Sequence, residues 1–522
     1  MNFSTFKRSL PVMLALCIIL LFCNSCSNGS VRIKTDDGTL VLSPLYSNAV
    51  RVQIIPDGQT LPEELVYTEK VRKPAFKVKK SDAGTELSTS GMVVRYSSAD
   101  GTLTFLDAQG NVLLSEVPGG RKLQPSTVQN VPVYAVSQSF ASPKDEHLYG
   151  TGQFQDGYLD IRGLTRRLTQ VNTQIAIPFV LSSKGYGLLW NNYGLTDFNP
   201  ASQSVALTPA EEGEDVTVNA TGTSGNRREI RRNRNFIGTL EVPEGGEYAL
   251  LLDVGQKMAR RHFLSVDGEA VIDVSNTWLP PTSSVIVTLP AGRHELSVEG
   301  VRGDNPQVFW RKVTDETVLS SPVAAALDYT VFAGSGDEVI STYRTLTGPV
   351  PQMADWMFGY IHCRERYHSQ AEILENANGF KERGLPLDVI VQDWQWWGNT
   401  GWNSMEFDRV HYPDPAALTS ALHEMGTRFM ISVWSKVDRN CALGQKLNER
   451  GLYIDGTDWI DFFKPDAAAL YVQSFRDSLA IPYGIDAWWF DATEPENDDL
   501  AGRLIGPDQI PGEFYRNVYP LM

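Results

Sequence analysis

Apolar residues follow one period up to about residue 350 and another beyond it. In the first part, short runs such as Val31–Ile33 and Val50–Ile55 alternate with polar residues or are wholly apolar, and turns such as Asp100-Gly101 separate them. Such short, regularly broken runs are typical of antiparallel strands joined by tight turns. We therefore predict an N-terminal β-sandwich formed by residues 27–212 and 316–350.

A second β-rich block, residues 213–315, interrupts this sandwich. Within it the strand Phe263–Val266 leads into Asp267-Gly268, and the turn Ala291–His294 follows a later strand. This succession resembles the PA14 domain, so we expect a PA14-like insert. Some PA14 modules bind sugar or calcium through an Asp-Asp pair, but the matching place here is Ala259–His262. The resemblance therefore implies a structural or substrate-extending role.

From about residue 351, apolar strands alternate with amphipathic helices, which is the pattern of βαβ units and a parallel sheet. The predicted strands are Met357–Ile361, Leu387–Val391, Phe429–Val433 and Ile485–Phe490, and the predicted helices are Ser369–Arg383, Pro415–Met425 and Ala467–Ala480. A closed (β/α)8 barrel needs eight strands and about 250 residues. We therefore predict a multidomain fold, α/β plus β, in which residues 351–522 form a TIM barrel truncated after about four strands.

Charged and aromatic residues follow three of the predicted strands. The second strand leads into Asp393, Trp394 and Trp396, the third into Trp434 and Lys436, and the fourth into Asp491 and Glu494. Chemistry in parallel α/β folds lies at the carboxyl ends of strands. Carboxylates bind sugar hydroxyls and tryptophan faces stack on sugar rings, so the coincidence predicts a sugar pocket. Taken singly, Asp393 could cap a helix, Lys436 could be solvated, and the tryptophans could pack a surface loop.

The segment Trp489–Glu494 matches the W-x-D-x-x-E motif of glycoside hydrolase family 31. The runs Tyr149–Gly157, Pro178–Gly187 and Gly384–Trp394 are also similar to that family. The sequence Asp-Ala-Thr-Glu-Pro-Glu at residues 491–496, together with the PA14-like insert, resembles bacterial α-xylosidases that act on xyloglucan oligosaccharides. The resemblance implies a retaining α-glycoside hydrolase that removes α-linked xylose from non-reducing ends.

The same resemblance implies roles for the residues at the strand ends. Asp491 is expected to be the catalytic nucleophile, which forms a covalent glycosyl intermediate, and Asp393 is expected to bind the glycone hydroxyls. Trp434 and Lys436 are expected to line the pocket, Trp394 or Trp396 to exclude the hydroxymethyl group of glucose, and Glu494 to orient its neighbours. The family's general acid is an aspartate on a later barrel strand, expected beyond residue 522. We therefore expect the chain as given to be an inactive fragment of a longer enzyme.

Composition narrows the possible partners. The formal net charge is −16 over 522 residues, whereas nucleic-acid binding needs a basic surface, so we expect no nucleic-acid partner. The chain has no HExxH, P-loop or GxSxG motif, which removes support for a metalloprotease, an NTPase or a serine hydrolase. We expect no metal and no cofactor, and an oligosaccharide as the partner.

Residues 1–26 are typical of a bacterial lipoprotein signal. Lys7 and Arg8 precede the apolar run Pro11–Phe22, and a small residue precedes Cys26. We expect Cys26 to be lipidated and the protein to be exported, with a periplasmic or outer-membrane location. Membrane contact is expected only through this anchor.

Two alternatives stay open. The same pocket could serve an α-glucosidase or a transglucosidase of the same family, because excluding one hydroxymethyl group is worth only a few kcal/mol. The chain could also be a non-catalytic glycan-binding lipoprotein with a degenerate half barrel. The intact Asp491, Asp393 and Trp489 argue against such decay.

Overall fold

The computed structural model describes residues 29–222, 225–255, 259–494 and 500–522. The predicted signal segment, with Cys26, lies outside the described residues. Among the described helices, none is long and apolar enough to cross a membrane.

Antiparallel strands build the N-terminal part of the chain. In chain order they are β1 (Val31–Thr35), β2 (Gly38–Tyr46), β3 (Ala49–Ile55), β4 (Lys77–Ser81), β5 (Gly84–Ser88), β6 (Met92–Ser97), β7 (Leu103–Asp107), β8 (Val112–Ser115), β9 (Lys122–Val128), β10 (Val131–Ala141), β11 (Leu148–Gln153), β12 (Arg166–Leu168), β13 (Ile175–Ser182), β14 (Tyr186–Trp190) and β15 (Thr196–Phe198). Strands β4 to β8 form a meander of their own. The sheets share one core, in which Leu40, Phe105 and Trp190 are fully enclosed.

The next strands form a separate two-sheet unit. They are β16 (Gln203–Val205), β17 (Thr208–Gly222), β18 (Gly225–Val242), β19 (Gly246–Asp253), β20 (Ala259–Val266), β21 (Glu269–Leu279), β22 (Thr282–Leu289), β23 (Gly292–Val301) and β24 (Gln307–Lys312). The sheet orders are β16-β24-β19-β22 and β17-β18-β23-β20-β21, around a core that includes Leu250, Leu264 and Leu296. The unit begins at Gln203 rather than at the predicted 213, because β16 pairs with β24 of this unit.

The chain then returns to the first sandwich. Strand β25 (Glu316–Ala324) pairs with β10 and β15, and β26 (Leu327–Ala333) pairs with β3 and β14. The two large sheets are thereby completed in the orders β1-β2-β3-β26-β14-β13-β11 and β12-β15-β25-β10-β9. The two-sheet unit is therefore inserted into the sandwich.

Helix α1 (Gly336–Thr347) follows, where strands alone were predicted up to residue 348. Ser335 and Glu338 form a capping box at its start. Val339, Thr342 and Leu346 are buried at helical spacing. The expectation of strands was therefore wrong here, because the capping signal was not recognised in the sequence.

A parallel sheet forms the C-terminal part. Strands β27 (Ile361–Cys363), β28 (Val389–Gln392), β29 (Arg428–Val433) and β30 (Ala487–Phe490) lie side by side in chain order. The helices are α2 (Gln370–Glu382), α3 (Pro415–Glu424), α4 (Ala442–Glu449), α5 (Pro465–Phe475) and α6 (Ile481–Tyr483), with a π-helical turn at Arg476–Ala480. Short 3₁₀ turns lie at Asp355–Phe358, Gly512–Phe514 and Tyr519–Leu521, and β31 (Leu504–Ile505) pairs with β32 (Ile510–Pro511).

Two local predictions in this region were wrong. The predicted first strand Met357–Ile361 is instead a 3₁₀ turn followed by a strand that starts at Ile361. The chain turns at Gly359, where a Cβ would lie 2.1 Å from the carboxyl carbon of Asp388. Helix α4 was not predicted because its N-cap is Cys441, whose sulfur accepts from the Gly444 N–H at 3.2 Å, and cysteine is not among the preferred capping residues.

Both edges of the parallel sheet are open among the described residues. The side chains of Phe358 and Ile361 are 79% and 42% exposed beside one edge. At the other edge, Phe490 is 52% exposed. Open apolar edges normally associate with further strands or another surface.

Asn517 joins the C-terminal segment to the sandwich. Its Nδ2 donates to the carbonyls of Leu168 and Gly194 at 2.9 and 2.8 Å, and its Oδ1 accepts from the Gln170 N–H at 3.0 Å. Its own N–H donates to the Tyr193 carbonyl at 2.8 Å. Because the side chain is buried, these bonds hold the parallel sheet at a set position on the sandwich.

Replacing Asn517 with alanine should therefore weaken this junction. Two buried carbonyls and one N–H would lose their partner, which should lower the free energy of unfolding by about 2–3 kcal/mol. Chemical denaturation of the two proteins measures the difference. Lys446→Ala, a change at an exposed helix position, should stay within about 0.5 kcal/mol of the parent. Equal stability of the two variants would contradict this role of Asn517.

Candidate active site

The carboxyl ends of the parallel strands are aligned by their register. Cys363 pairs with Val391, Gln392 with Ile431, and Val433 with Phe490. The next residues along three of these strands are Asp393, Trp434 and Asp491, so all three emerge at one edge of the sheet. The Asp491 N–H donates to the Val433 carbonyl at 2.9 Å, which extends the ladder up to the carboxylate-bearing residue.

Asp393 is buried and held by two donors. Its Oδ1 accepts from the Trp394 N–H at 2.7 Å and from the Ser432 hydroxyl at 3.3 Å. Burial nevertheless raises the pKa of Asp393 above its ordinary value, although these hydrogen bonds oppose the shift. The second oxygen, Oδ2, makes no described hydrogen bond, which leaves it available to a ligand hydroxyl.

Asp491 lies in the same desolvated, negatively charged region. Burial, followed by the charges of Asp393 and Glu494, raises the pKa of Asp491 to about 6. Burial also raises the pKa of Glu494. The Cys363 thiol lies close to the same carboxylates. Desolvation, followed by the charges of Asp393 and Asp491, raises the pKa of Cys363 to about 11. The structure therefore brings Asp393, Asp491 and Glu494 together, as the sequence predicted.

Tryptophan rings pack beside these carboxylates. The Trp402 ring lies 5.8 Å from Trp394, 5.2 Å from Trp397 and 5.5 Å from Trp434, measured between centroids. The Arg366 guanidinium lies 4.9 Å from the Trp394 ring centroid. Trp394 and Trp434 thus share one aromatic cluster, in which both side chains are largely buried.

Trp396 does not line an open pocket in this structure, contrary to the prediction. Its side chain is 0% exposed, its ring packs 4.8 Å from Phe407, and its Nε1 donates to the Ser432 carbonyl at 2.9 Å. Among adjacent tryptophans, the sequence does not tell which one turns into the core. The structure leaves Trp394 as the remaining candidate for excluding a hydroxymethyl group.

Lys436 lies apart from the carboxylates. It lines a polar cavity of about 570 Å³ with Arg439, Asp458 and Arg503, and no described hydrogen bond or ion pair joins it to Asp393 or Asp491. Within the part of the chain that is described, the expected contribution of Lys436 to the same pocket is not seen. The bend of the chain after β29 could not be read from the sequence.

A cavity of about 610 Å³ lies beside Glu494, between the sheet and the sandwich. Gln153 and Ile175 line it from the sandwich, and Thr493 and Val518 line it from the other side. The sandwich therefore contributes directly to the wall next to the loop that carries Asp491 and Glu494.

Sequence reasoning did not single out Trp402 and Asn403 as site residues. Trp402 touches three other tryptophans, and its Nε1 is buried without a described partner. The fully buried Asn403 donates through Nδ2 to the carbonyls of Trp434 and Lys436, at 2.5 and 3.3 Å. Asn403 adopts a φ of 52° and Ala492 a φ of 43°, which is uncommon outside glycine. The feature of the sequence that could have identified Trp402 and Asn403 is the run Gly401-Trp402-Asn403 itself.

Comparison with known families agrees with this architecture. The model of the glycosyl hydrolases family 31 TIM-barrel domain matches residues 350–522. The model of the glycosyl hydrolase 31 N-terminal galactose mutarotase-like domain matches residues 39–199. The chain belongs to glycoside hydrolase family 31. Its sandwich is therefore the galactose mutarotase-like domain of the family, and its parallel sheet is part of the catalytic barrel domain.

Relatives of this family 31 chain include proteins named α-xylosidase. It is 28% identical over 460 residues to an α-xylosidase of Saccharolobus solfataricus, covering 83% of this chain and 47% of the relative. The crystal structure of a family 31 α-xylosidase from Xanthomonas citri matches with a TM-score of 0.82 and 27% identity, covering 95% of this chain and 61% of that one. A family 31 α-xylosidase from a soil metagenome, complexed with xylose, matches with a TM-score of 0.63 and 21% identity, covering 95% of this chain and 62% of that one. The chain thus spans about half to three fifths of the length of these relatives.

The raised pKa of Asp491 predicts that this residue makes the protein less stable as the pH rises, whereas an ion-paired aspartate makes a protein more stable. An aspartate has a pKa near 3.8 in the unfolded chain and about 6 in the folded one, so the folded state holds the proton more tightly. This group therefore lowers stability as the pH rises from about 4 to about 6, and the loss is complete above that range. Asp491→Asn should raise the free energy of unfolding at pH 7 by about 1–3 kcal/mol, and by little at pH 4.

Thermal unfolding at both pH values measures this effect. Asp82→Asn is the matched control, because Asp82 is exposed and should change stability little at either pH. A loss of stability in Asp491→Asn at pH 7 would show that the carboxylate is favourably paired and not desolvated.

Proposed function

We propose that the complete protein is a retaining α-glycoside hydrolase with Asp491 as its nucleophile. The observation that carries this proposal is the position of the Asp491 carboxylate, at the end of a parallel strand, desolvated and adjacent to Asp393. In the proposed reaction, the carboxylate attacks the anomeric carbon, the bond to the leaving-group oxygen breaks, and a glycosyl ester forms on Asp491. Water then hydrolyses the ester. At neutral pH a carboxyl with a pKa of about 6 is mostly ionised, as a nucleophile must be.

Asp393 is proposed to bind glycone hydroxyls. A carboxylate held by the Trp394 N–H and the Ser432 hydroxyl has a set orientation and one oxygen left for a ligand. Hydrogen bonds from sugar hydroxyls to a desolvated carboxylate are stronger than those to a neutral acceptor. Glu494, buried beside the nucleophile, is proposed to orient Asp491 and is not assigned as the acid.

The substrate is proposed to be an oligosaccharide of the xyloglucan type with α-linked xylose at a non-reducing end. The relatives from Saccharolobus solfataricus and Xanthomonas citri, which match over most of this chain, are both named α-xylosidase, which supports xylose over glucose. The tightly packed Trp394 and Trp402 give the site a rigid aromatic wall that can exclude the hydroxymethyl group of glucose. Such exclusion by one group discriminates by a few kcal/mol at most.

The general acid is proposed to come from a further barrel strand, in sequence beyond residue 522. A retaining glycosidase needs a second carboxyl group about 5–5.5 Å from the nucleophile, one that is protonated when the glycosidic bond breaks. The two open, apolar edges of the four-stranded sheet are the places where further strands would close a barrel. This part of the proposal is supported by the relatives' greater length.

The inserted unit is proposed to be PA14-like, with a structural or substrate-extending role. Its two antiparallel sheets are consistent with that assignment. Arg261 and His262 stand in place of the Asp-Asp pair, where Arg261 occupies the nearby carboxylates of Asp273 and Glu299 and the buried His262 bonds the Ser283 hydroxyl through Nδ1 at 2.6 Å. Metal binding there is therefore not proposed.

Xylose release by the extended protein tests the enzyme proposal. The extended protein is the one obtained by continuing the reading frame past codon 522. It should hydrolyse an aryl α-xyloside faster than the aryl α-glucoside and should release xylose from xyloglucan oligosaccharides. Asp491→Ala should lower turnover by roughly 10³-fold or more, because no covalent intermediate can form. The 522-residue chain by itself should show little or no turnover.

Two controls separate the alternatives. Asp82→Asn should keep the parent activity, since Asp82 lies on an exposed turn of the sandwich. Faster hydrolysis of the α-glucoside would favour an α-glucosidase or transglucosidase. Full activity of Asp491→Ala would refute the nucleophile assignment, and a stop codon after residue 522 with no continuing frame would refute the missing-acid proposal.

Export as a lipoprotein is proposed from the N-terminal sequence. Lys7, Arg8 and the apolar run Pro11–Phe22 would direct export, and Cys26 would receive the lipid. Metabolic labelling with a radioactive fatty acid should mark the parent protein, and Cys26→Ser should abolish the label and release the protein from the membrane fraction. An unlabelled parent protein that is cleaved at another site would indicate a plain secretory signal.

A further inference from the structure

A cavity of about 520 Å³ lies between the sandwich and the inserted unit, away from the candidate active site. The five-stranded sheet of the sandwich supplies one wall, with Ser137 and Ser139 from β10 and Ser320 from β25. Strand β24 of the inserted unit supplies the opposite wall, with Trp310 and Arg311. Nothing in the proposed mechanism uses this cleft.

Arg311 is the unusual member of the cleft. Burial lowers its pKa, and the main opposing influence is the attraction of Glu316. Its described hydrogen bonds are long and go to uncharged acceptors, the Lys312 carbonyl at 3.4 Å and the Thr314 hydroxyl at 3.2 Å. No carboxylate within ion-pair distance of Arg311 is described, so its half-buried guanidinium has donors left for an anion in the cleft.

The remaining charges of the cleft are mostly positive. Lys122 on β9 is exposed at the wall of the sandwich. Lys312 lies 2.5 Å from Glu244, so that pair is close to neutral. The chain as a whole has a net charge of −16. The cleft therefore differs from it in sign, because no ion pair is described for Arg311 or Lys122.

The polar and apolar groups of the cleft match a sugar ring. Three serine hydroxyls stand on one wall, where each can donate to and accept from a ring hydroxyl. On the other side the Trp310 ring, 7% exposed, packs 5.7 Å from the fully buried Tyr248 ring, so only an edge of Trp310 reaches the cleft. A guanidinium is the side chain best suited to bind a carboxylate through two parallel hydrogen bonds. The volume lies within the range of small-molecule sites.

We propose that this cleft is a non-catalytic binding site for an acidic saccharide, in which Arg311 binds the carboxylate of a uronic acid residue and the serine wall binds its hydroxyls. The position between the two units means that both contribute to binding. The proposal does not depend on Asp491, because the cleft and the strand ends of the parallel sheet share no lining residue.

Calorimetry on the 522-residue chain tests the proposal with a matched pair of probes. Methyl β-glucuronide and methyl β-glucoside differ only in the carboxylate and hydroxymethyl groups at C5. The glucuronide should bind saturably and at least tenfold more tightly than the glucoside. Inorganic phosphate at the same ionic strength should not displace it.

Substitutions inside and outside the cleft test where the glucuronide binds. Arg311→Gln should weaken glucuronide binding at least tenfold, and Lys122→Gln, at an exposed position that folding does not need, should weaken it about threefold. Arg293→Gln is the matched control on the same unit, because Arg293 is exposed and its described ion pair, with Glu241 at 3.4 Å, lies outside the cleft. Asp491→Ala should bind the glucuronide like the parent.

Four results would overturn the proposal. The first is equal binding of the two sugars, and the second is displacement of the glucuronide by phosphate, which would show a simple anion site. The third is unchanged affinity in both Arg311→Gln and Lys122→Gln. A loss of binding in Asp491→Ala would show that the glucuronide binds at the candidate active site, and this result would also overturn the proposal.

Discussion

Three neighbouring carboxylates that are partly buried dominate the chemistry of this chain. Asp393, Asp491 and Glu494 all have pKa values raised by burial, and the charges of its two neighbours raise that of Asp491 further. Isolated buried charges are costly, so such a group persists only where rigid surroundings hold it. Here the parallel register supplies that rigidity, because it ends each strand at the same level and directs the following residue to one edge.

The surroundings of this edge are built from buried polar contacts and aromatic packing. Ser432 is used twice, since its hydroxyl donates to Asp393 and its carbonyl accepts from Trp396 Nε1. Asn403 holds the chain after β29 through the carbonyls of Trp434 and Lys436. The carboxylates therefore rest on a layer whose own hydrogen bonds are made inside the protein, which restricts their orientation before any ligand binds.

The sandwich positions this edge and adds surface to it. Asn517 bonds backbone groups of Leu168, Gln170, Tyr193 and Gly194, and Gln153 lines the cavity beside Glu494. The inserted unit is joined to the sandwich by contacts such as Asn276 to Gln155 and Arg167 to Asp253, and the cleft with Arg311 lies between the two. A saccharide held there and one held at the strand ends would contact different parts of the same chain, so the unit can extend recognition without altering the site of bond cleavage.

The sequence alone determined which residues follow which strand. The alternation of strands and helices after residue 351 placed Asp393 and Asp491 at strand ends, because period and capping are local properties of the chain. Local signals also marked the sandwich and the return of β25 and β26, but not α1 and α4, whose caps at Ser335 and Cys441 were unrecognised or atypical. Trp396 and Lys436 show the limit, since the direction of a side chain in a loop is decided by what packs against it. Only the tertiary structure sent Trp396 into the core under Ser432, brought Trp402 to Trp394 and Trp434, and set Arg311 opposite three serines, because each of these contacts depends on how separate strands and loops pack together.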